Sequence, residues 1–414
     1  MVSKHPWVFK ARLRSKAYGW NGSSLAIKRL KEAVSEIKKV ARTDAVVAAD
    51  GAVTLFERFW PSLEYIDTSS GALGGAVNWT QEELLPLVIA APADRKTRDK
   101  WLDRLWHAIQ DDGVDYLCVV QDHWGELCAS PKVASHWADQ FVDLIRMAWS
   151  DPRPGGCVNA TSLCLSSLLA AGRHQDILDL LAIARFPFWH YRKFGVYALV
   201  KDGRVEEALS YAESSRGLNQ PDRSIDAVCE RILLGAGRAD EAYEQYALTA
   251  SETATGLATF RAIAKKYPHR EPSSILLDLA ESSGDTGRYF AAAKDAGFHD
   301  LALKFAREGR TDPRTLIRAS RDFAGKDPKF AMTLGRLALE RLLQGHGYEI
   351  TSADLLDAYR HFVAAAENLG LKASALRDAT AMANLAISKQ PSPHAHAVLR
   401  AITQLLISET KSAV

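Results

Sequence analysis

Apolar residues recur at three- and four-residue spacing along nearly the whole chain after residue 23. This period corresponds to one face of an α-helix, and no stretch shows the sustained alternation that is typical of a β-strand. Clusters of Gly, Pro, Asn or Asp interrupt the pattern roughly every 12–20 residues, where helices are expected to end. The pattern therefore predicts an all-α fold, an α-solenoid or superhelix of antiparallel helix hairpins.

The middle of the chain is partly self-similar and is predicted to be tetratricopeptide-like. Sequences that begin at Gly172, Gly203 and Gly237 align, at spacings of 31 and 34 residues, and a degenerate fourth copy begins at Gly297. Each glycine is predicted to end a helix in a left-handed cap, and the acidic residues that follow begin the next helix. In three copies a small residue follows at the fifth position: Ala208, Ala242 and Ala302. A small side chain there lets the two helices of a hairpin approach closely.

The pattern divides the chain into four predicted regions. They are a basic aromatic N-terminal arm (1–22), an N-terminal helical region (23–155), the tetratricopeptide-like repeats (156–310) and a C-terminal helical capping region (311–414). In the last region, helices are predicted to begin at Asp312-Pro313 and at Asp327-Pro328, each with an N-cap followed by proline.

Two longer helices are expected near the C-terminus. Thr351 and Asp354 have the spacing of a capping box, which predicts a helix over about 352–369. A second long helix is expected over about 372–388, and a last one ends at about residue 408. This region is predicted to close the superhelix.

Charge is distributed unevenly along the 414 residues. The composition, with 47% hydrophobic and 25% charged residues, is that of an ordinary folded protein and excludes wholesale disorder. Residues 1–42 carry a net charge of +9, and the remaining residues carry −7, so the total is only +2. The near-neutral total therefore combines a basic N-terminal segment with a mildly acidic remainder.

In the basic segment, cationic side chains alternate with aromatic ones. This composition suits contacts with phosphates combined with stacking on bases. The candidate nucleic-acid-binding residues are Lys10, Arg12, Arg14, Lys16, Trp20, Lys28 and Arg29. Two alternatives remain. In the first, the basic segment is a solvated helix face. Its aromatic residues dock on the rest of the chain, and its lysines and arginines pair with acidic residues. In the second, it binds an acidic protein or another anion.

The sequence suggests the cytoplasm as the location. No apolar segment near the N-terminus resembles a secretory signal, and the most apolar stretch, residues 84–93, is too short to cross a bilayer. The five cysteines are an odd number in a long chain, which argues against a disulfide framework. We therefore expect buried, reduced cysteines and no membrane partner.

The segment 101–128 is the densest in polar and aromatic residues. His107 and Asp111, like Asp122 and Glu126, are spaced to share a helix face and to present metal ligands. However, the segment contains no H-E-x-x-H and no complete zinc set. A metal-dependent hydrolase with a site near 107–126 remains an alternative to a helix end with caps and hydrogen bonds. No catalytic residue, metal ligand or cofactor is assigned.

The stretch 186–194 is rich in aromatic and basic residues. It lies on the first helix of a predicted hairpin, which in repeat proteins usually lines the concave surface, although packing between repeats would also explain it. Its candidate partner-binding residues are Trp189, Tyr191, Arg192 and Lys193. The favoured function is a non-enzymatic scaffold that binds a protein or peptide on its concave face, with the partner and the oligomeric state left open.

Several runs in the sequence resemble an uncharacterised bacterial family of tetratricopeptide-like α-helical repeat proteins. These runs are Arg29–Ile37, Asp67–Gly74, Asp122–Cys128, Phe290–Ala296, Leu316–Ala324 and Gly345–Thr351. The resemblance covers about residues 15–370 and implies a helical-repeat fold without catalytic residues. Some similar proteins carry a SWIM-type zinc finger in front of the repeats. No C-x-C…C-x-H run is present here, so neither that finger nor its implied DNA binding carries over.

Overall fold

The structure, a computed structural model, describes residues 5–151, 158–184, 188–217 and 222–389, together with Arg400. Throughout these residues the regular structure is helical, with no β-strand, and this confirms the predicted all-α fold. None of the helices in the described part of the chain is both long and apolar enough to cross a membrane. The chain divides into two compact units, Met1–Ile225 and Asp226–Val414.

The first unit begins with fourteen described helices. They are α1 (Phe9–Arg12), α2 (Ser23–Ala41), α3 (Ala45–Phe56), α4 (Phe59–Leu63), α5 (Ala72–Ala90), α6 (Arg95–Asp111), α7 (Cys118–Asp122), α8 (Trp124–Leu127), α9 (Pro131–Asp139), α10 (Val142–Ser150), α11 (Thr161–Ala170), α12 (His174–Ile183), α13 (Trp189–Lys201) and α14 (Val205–Glu213). The division between the units falls within the next helix, α15 (Asp222–Gly235).

The described helices of the second unit follow α15. They are α16 (Ala239–Ala242), α17 (Leu248–Ala250), α18 (Gly256–Lys266), α19 (Pro272–Ser283), α20 (Phe290–Asp295), α21 (His299–Glu308), α22 (Pro313–Phe323), α23 (Pro328–Leu343), α24 (Ser352–Glu367) and α25 (Lys372–Lys389). A π-helical turn, Tyr243–Ala247, connects α16 to α17, and a 3₁₀ turn, Thr286–Tyr289, precedes α20.

Within each unit, helices that follow one another in the sequence pack side by side. In the first unit α12 packs on α13 and α13 on α14, and in the second unit α22 packs on α23 and α23 on α24. Each hairpin buries an apolar face that one short helix alone would expose. This packing of sequence neighbours is the arrangement of an α-solenoid.

The four repeat glycines form the predicted helix caps. The backbone is left-handed at all of them, with φ of +73° at Gly172, +77° at Gly203, +75° at Gly237 and +84° at Gly297. At the first, the amide of Gly172 donates to the carbonyl of Leu169 at 3.2 Å, and the amide of Arg173 donates to the carbonyl of Leu168 at 2.9 Å. This pair of bonds is the Schellman motif, and it satisfies carbonyls that the helix end would leave unpaired.

The residues after these glycines also follow the sequence-based prediction. In three copies an arginine directly after the glycine pairs with an acidic residue three positions on: Arg173–Asp176, Arg204–Glu207 and Arg238–Glu241. The three predicted alanines of the hairpins, Ala208, Ala242 and Ala302, are fully buried. Gly-Arg-x-x-acid is thus a local structural motif that occurs three times in the repeats.

The predicted helix starts of the C-terminal part are confirmed. The side chains of Asp312 and Asp327 accept the backbone N–H groups of Thr315 and Phe330 and cap α22 and α23. Thr351 and Asp354 form the capping box of α24. The expected last helix, up to about residue 408, lies outside the described residues.

The two compact units divide the chain differently from the four predicted regions. The predicted boundary at 155/156 falls within 152–157, outside the described residues. The four regions describe changes of sequence pattern, and their boundaries stay predictions.

Candidate functional site

A polar cluster joins two segments that sequence analysis singled out separately. Asp122, the last residue of α7, forms an ion pair with Lys193 of α13, and both side chains are largely buried. His190, one turn before Lys193, places its Nε2 3.8 Å from Asp122 Oδ1. The same Nε2 lies 2.8 Å from the hydroxyl of Ser162 on α11. The cluster therefore connects three helices of the first unit.

The geometry of this cluster differs from that of a catalytic Ser-His-Asp triad. In such a triad the serine and the carboxylate bind opposite ring nitrogens, so that the carboxylate fixes the tautomer. Here Ser162 and Asp122 both face Nε2 of His190, and Ser162 is buried. Burial lowers the pKa of His190, against the opposing influence of the Asp122 carboxylate. The serine and the carboxylate thus share one ring nitrogen, and the cluster links α7, α11 and α13.

Cys118 lies on the same helix as Asp122. Its thiol is half-buried, and its Sγ lies 3.9 Å from Oδ1 of Asn78. Burial, together with the negative charge of Asp122, raises the pKa of the Cys118 thiol. Burial also raises the pKa of Cys128 and of Cys164 to about 12. These thiols are protonated at neutral pH and therefore lack the thiolate that nucleophilic cysteines need.

The first pair of the candidate metal site, His107 and Asp111, shares α6, whereas the second pair is divided between two helices. Asp122 and Glu126 lie on different short helices, and Glu126 binds His123 at 2.5 Å instead. The Nδ1 of His107 lies 2.6 Å from the carbonyl of Asp103. Across the described residues, no three His, Cys, Asp or Glu side chains are arranged to hold a metal ion. The hydrolase alternative stays a hypothesis without an assembled site.

All four predicted partner-binding side chains make internal contacts. Trp189 is only 6% exposed. The guanidinium of Arg192 stacks 4.1 Å from the ring centre of Tyr211 and donates to Ser214 at 2.7 Å. Lys193 is held by Asp122 as described above. Tyr191 is partly exposed and packs against the rings of Trp149 and Phe188.

The helix α10 of the first unit carries two exposed apolar side chains, Leu144, 52% exposed, and Met147, 72% exposed. On the same helix, the Trp149 ring packs 5.8 Å from the ring of Tyr191, which in turn contacts the half-exposed Phe188. Leu144, Met147, Tyr191 and Phe188 are called the apolar strip below. Sequence analysis missed the two α10 residues. Their three-residue spacing was a signal, because it places both on one face of a helix whose other face is also apolar.

The N-terminal segment is anchored on the first unit. Trp7, Phe9 and Tyr18 are buried in its core. The carboxylate of Glu36 on α2 accepts the amides of Val8 at 2.7 Å and of Phe9 at 3.2 Å, at the start of α1. Three of the four aromatic residues of the segment are thus docked on the rest of the unit, the arrangement that the first alternative to nucleic-acid binding expects.

Internal ion pairs compensate only part of the basic charge of this segment. Arg12 and Arg29 share the carboxylate of Glu32, and Lys38 pairs with Glu83. Among the described residues, seven further cationic side chains of the segment form no ion pair: Lys10, Arg14, Lys16, Lys28, Lys31, Lys39 and Arg42. A net positive surface therefore remains on the exposed side of α2.

One aromatic group of the N-terminal segment remains exposed. Trp20 is 67% exposed, and its carbonyl accepts the amide of Asp67 at 3.0 Å. Close to that contact in sequence, Tyr65 is 49% exposed, and the Nζ of Lys16 lies 5.6 Å from its ring centre. We call Lys16, Trp20 and Tyr65 the stacking patch. Sequence analysis named the first two residues, whereas Tyr65 joins them only through the fold.

Comparison with known proteins adds little to this picture. No protein-family model matches the chain, and no curated protein matches it significantly. A solved structure described as a circular tandem repeat protein with novel repeat topology and enhanced subunit contact surfaces aligns at 12% identity. It covers 94% of this chain and 92% of its own, with a TM-score of 0.17. At that score the alignment carries no argument about fold or function.

Proposed function

We propose that the protein is a non-enzymatic helical-repeat scaffold, located in the cytoplasm, that binds a protein or peptide partner. The observation that carries this proposal is the apolar strip, because large apolar side chains at such exposure mark contact surfaces when they cluster. Met147 is flexible and adaptable, whereas the aromatic rings of Tyr191 and Phe188 supply rigid anchors. The sequence resemblance to tetratricopeptide-like proteins supports the same function.

A capture experiment with charge-introducing variants tests this proposal. The purified protein, immobilised, is exposed to cytoplasmic extract with a chemical cross-linker, and captured proteins are quantified by mass spectrometry. We expect Leu144→Glu combined with Met147→Glu to reduce capture of the bound partner at least tenfold, about the effect of losing one interface anchor.

The matched control is Leu277→Glu, which charges a leucine that is 44% exposed on α19 of the second unit. It is expected to capture the same partner as the unmodified protein. Equal capture by the α10 double variant and by the control, with circular dichroism showing both folded, contradicts the role of the apolar strip.

The stacking patch favours a second candidate function, the binding of single-stranded nucleic acid. A cation beside two exposed aromatic rings matches the stacking platforms on which bases bind without sequence preference. The uncompensated lysines and arginines of the N-terminal segment supply the phosphate attraction. In this function Lys10, Arg14 and Lys28 contact phosphates, whereas Arg12 and Arg29 are already paired with Glu32.

Fluorescence anisotropy with a labelled single-stranded oligonucleotide tests the second function. Trp20→Ala and Tyr65→Ala are each expected to weaken binding about tenfold, because stacking contributes about 1–3 kcal/mol per base. Leu385→Ala, which removes an apolar side chain that is 56% exposed on α25, is the control and should leave affinity unchanged. Affinity that is insensitive to salt and to both patch substitutions is the contrary result.

A further inference from the structure

A cationic cleft lies in the second unit, between the end of α21 and the C-terminal half of α23. Its volume is about 660 Å³, and it opens to solvent on one side. Three arginines and a histidine line it: Arg307, Arg310, Arg341 and His346. A volume of this size is in the range of sites for small organic molecules.

Arg341 forms the fixed part of the cleft wall. Its guanidinium donates to three backbone carbonyls around the end of α21, those of Ala306, of Gly309 at 2.7 Å and of Thr311 at 2.9 Å. Desolvation lowers the pKa of Arg341, but an arginine keeps its charge in proteins. Its hydrogen-bond partners are carbonyl dipoles, while the charges of Asp285 and Glu340 act on the guanidinium without a direct bond.

Arg307 and Arg310 bring two more charges to the rim. Both residues are exposed, and within the described part of the chain neither side chain forms an ion pair. The backbone amide of Arg310 donates to Asp285 at 2.8 Å, which fixes the chain at this point while leaving the guanidinium unengaged by that carboxylate. Two guanidinium groups on one rim suit an anion with several oxygen atoms.

The acidic residues of the wall are engaged elsewhere. Asp312 accepts the amide of Thr315 at 3.0 Å as the N-cap of α22. Glu340, which also lines the cleft, pairs with Arg336 at 3.2 Å. The cleft lining carries three arginines against the two carboxylates of Asp312 and Glu340, and so keeps a net positive charge.

We propose that this cleft binds a nucleoside phosphate, with the phosphate groups between Arg307 and Arg310 and near Arg341. The planar guanidinium fork matches phosphate oxygens in pairs, which explains three arginines in place of lysines. Tyr348 directly follows Gly347 of the wall, and its largely exposed ring is available to stack on a base. The inference concerns the second unit and is independent of the apolar strip and of the stacking patch.

Isothermal titration calorimetry of the full chain tests this inference with ADP, adenosine and inorganic pyrophosphate. ADP is expected to bind, and adenosine to bind at least tenfold more weakly, because it lacks the phosphates. Arg307→Gln combined with Arg310→Gln should weaken ADP binding at least tenfold. Arg318→Gln, at an exposed position on α22 where the arginine bonds only within its helix, should leave affinity within twofold.

Three outcomes overturn the inference. The first is the absence of ADP binding at millimolar concentration, and the second is unchanged affinity in the rim double variant. The third is that pyrophosphate binds as tightly as ADP and that Tyr348→Ala leaves the affinity for ADP unchanged. The nucleoside would then make no contribution to binding. Arg341 is left intact because its replacement would release the carbonyls at the end of α21.

Discussion

Replacing Gly125 by alanine is expected to lower the free energy of unfolding by about 3 kcal/mol, at the upper end of overpacking effects. A Cβ on Gly125 would lie 2.2 Å from the backbone carbonyl oxygen of Ser166 and 2.6 Å from the Cβ of Ala170. The first obstacle is backbone, so no side-chain rotation relieves it, and α8 must move away from α11. Urea unfolding followed by tryptophan fluorescence measures the loss.

The contact between α8 and α11 also carries hydrogen bonds that separation would break. The amide of Gly125 donates to the hydroxyl of Ser166 at 3.0 Å, and that hydroxyl donates to the carbonyl of Asp122 at 2.8 Å. The control is Gly74→Ala at the start of α5, where an added Cβ meets nothing within 4 Å. It should raise stability by about 0.5 kcal/mol through helix propensity. A loss below 1 kcal/mol at Gly125 would show that the two helices separate freely.

Replacing Lys193 by methionine is expected to destabilise the protein by about 2–3 kcal/mol. Breaking a fully buried ion pair costs about 3–5 kcal/mol because one charge stays buried without a partner, and partial exposure reduces this. Here the side chains of Lys193 and Asp122 are 18% and 19% exposed. The Oδ1 of Asp122 lacks a hydrogen-bond partner, and the imidazole of His190, 3.8 Å from it, compensates for only part of the loss.

A double-mutant cycle isolates this pair. Asp122→Asn combined with Lys193→Met should recover more than 1 kcal/mol relative to the sum of the single losses. The control is the exposed pair of Arg204 and Glu207, where solvent screens the charges and Arg204→Met is expected to change stability far less than Lys193→Met. Additive losses at Asp122 and Lys193 would mean that the two charges do not stabilise each other.

The parts of the fold that sequence analysis predicted correctly depend on local interactions. The caps at Gly172 and its equivalents, the proline starts and the capping box at Thr351 all involve residues within six positions of each other. Their hydrogen bonds form whatever the rest of the chain does, so a short window of sequence determines them.

The candidate sites depend on distant residues and escaped sequence analysis for that reason. Asp122 and Lys193 are 71 positions apart, and each lies in a segment with its own plausible local explanation. The pairing of Glu32 with both Arg12 and Arg29 likewise consumes two of the predicted nucleic-acid contacts. The exposure of Met147 is a property of packing, because the sequence marks α10 as apolar without indicating which side stays uncovered.

The recurrent Gly-Arg-x-x-acid junction has a consequence for how such a chain changes in evolution. Each junction closes with bonds among its own few residues, as at Gly172, where both capping amides find carbonyls of the preceding turn. A duplicated hairpin therefore contains its own capping hydrogen bonds, and a deleted hairpin removes only its own. In both cases the flanking helices keep their caps. An insertion within a junction would instead separate the capping amides from the carbonyls that accept them.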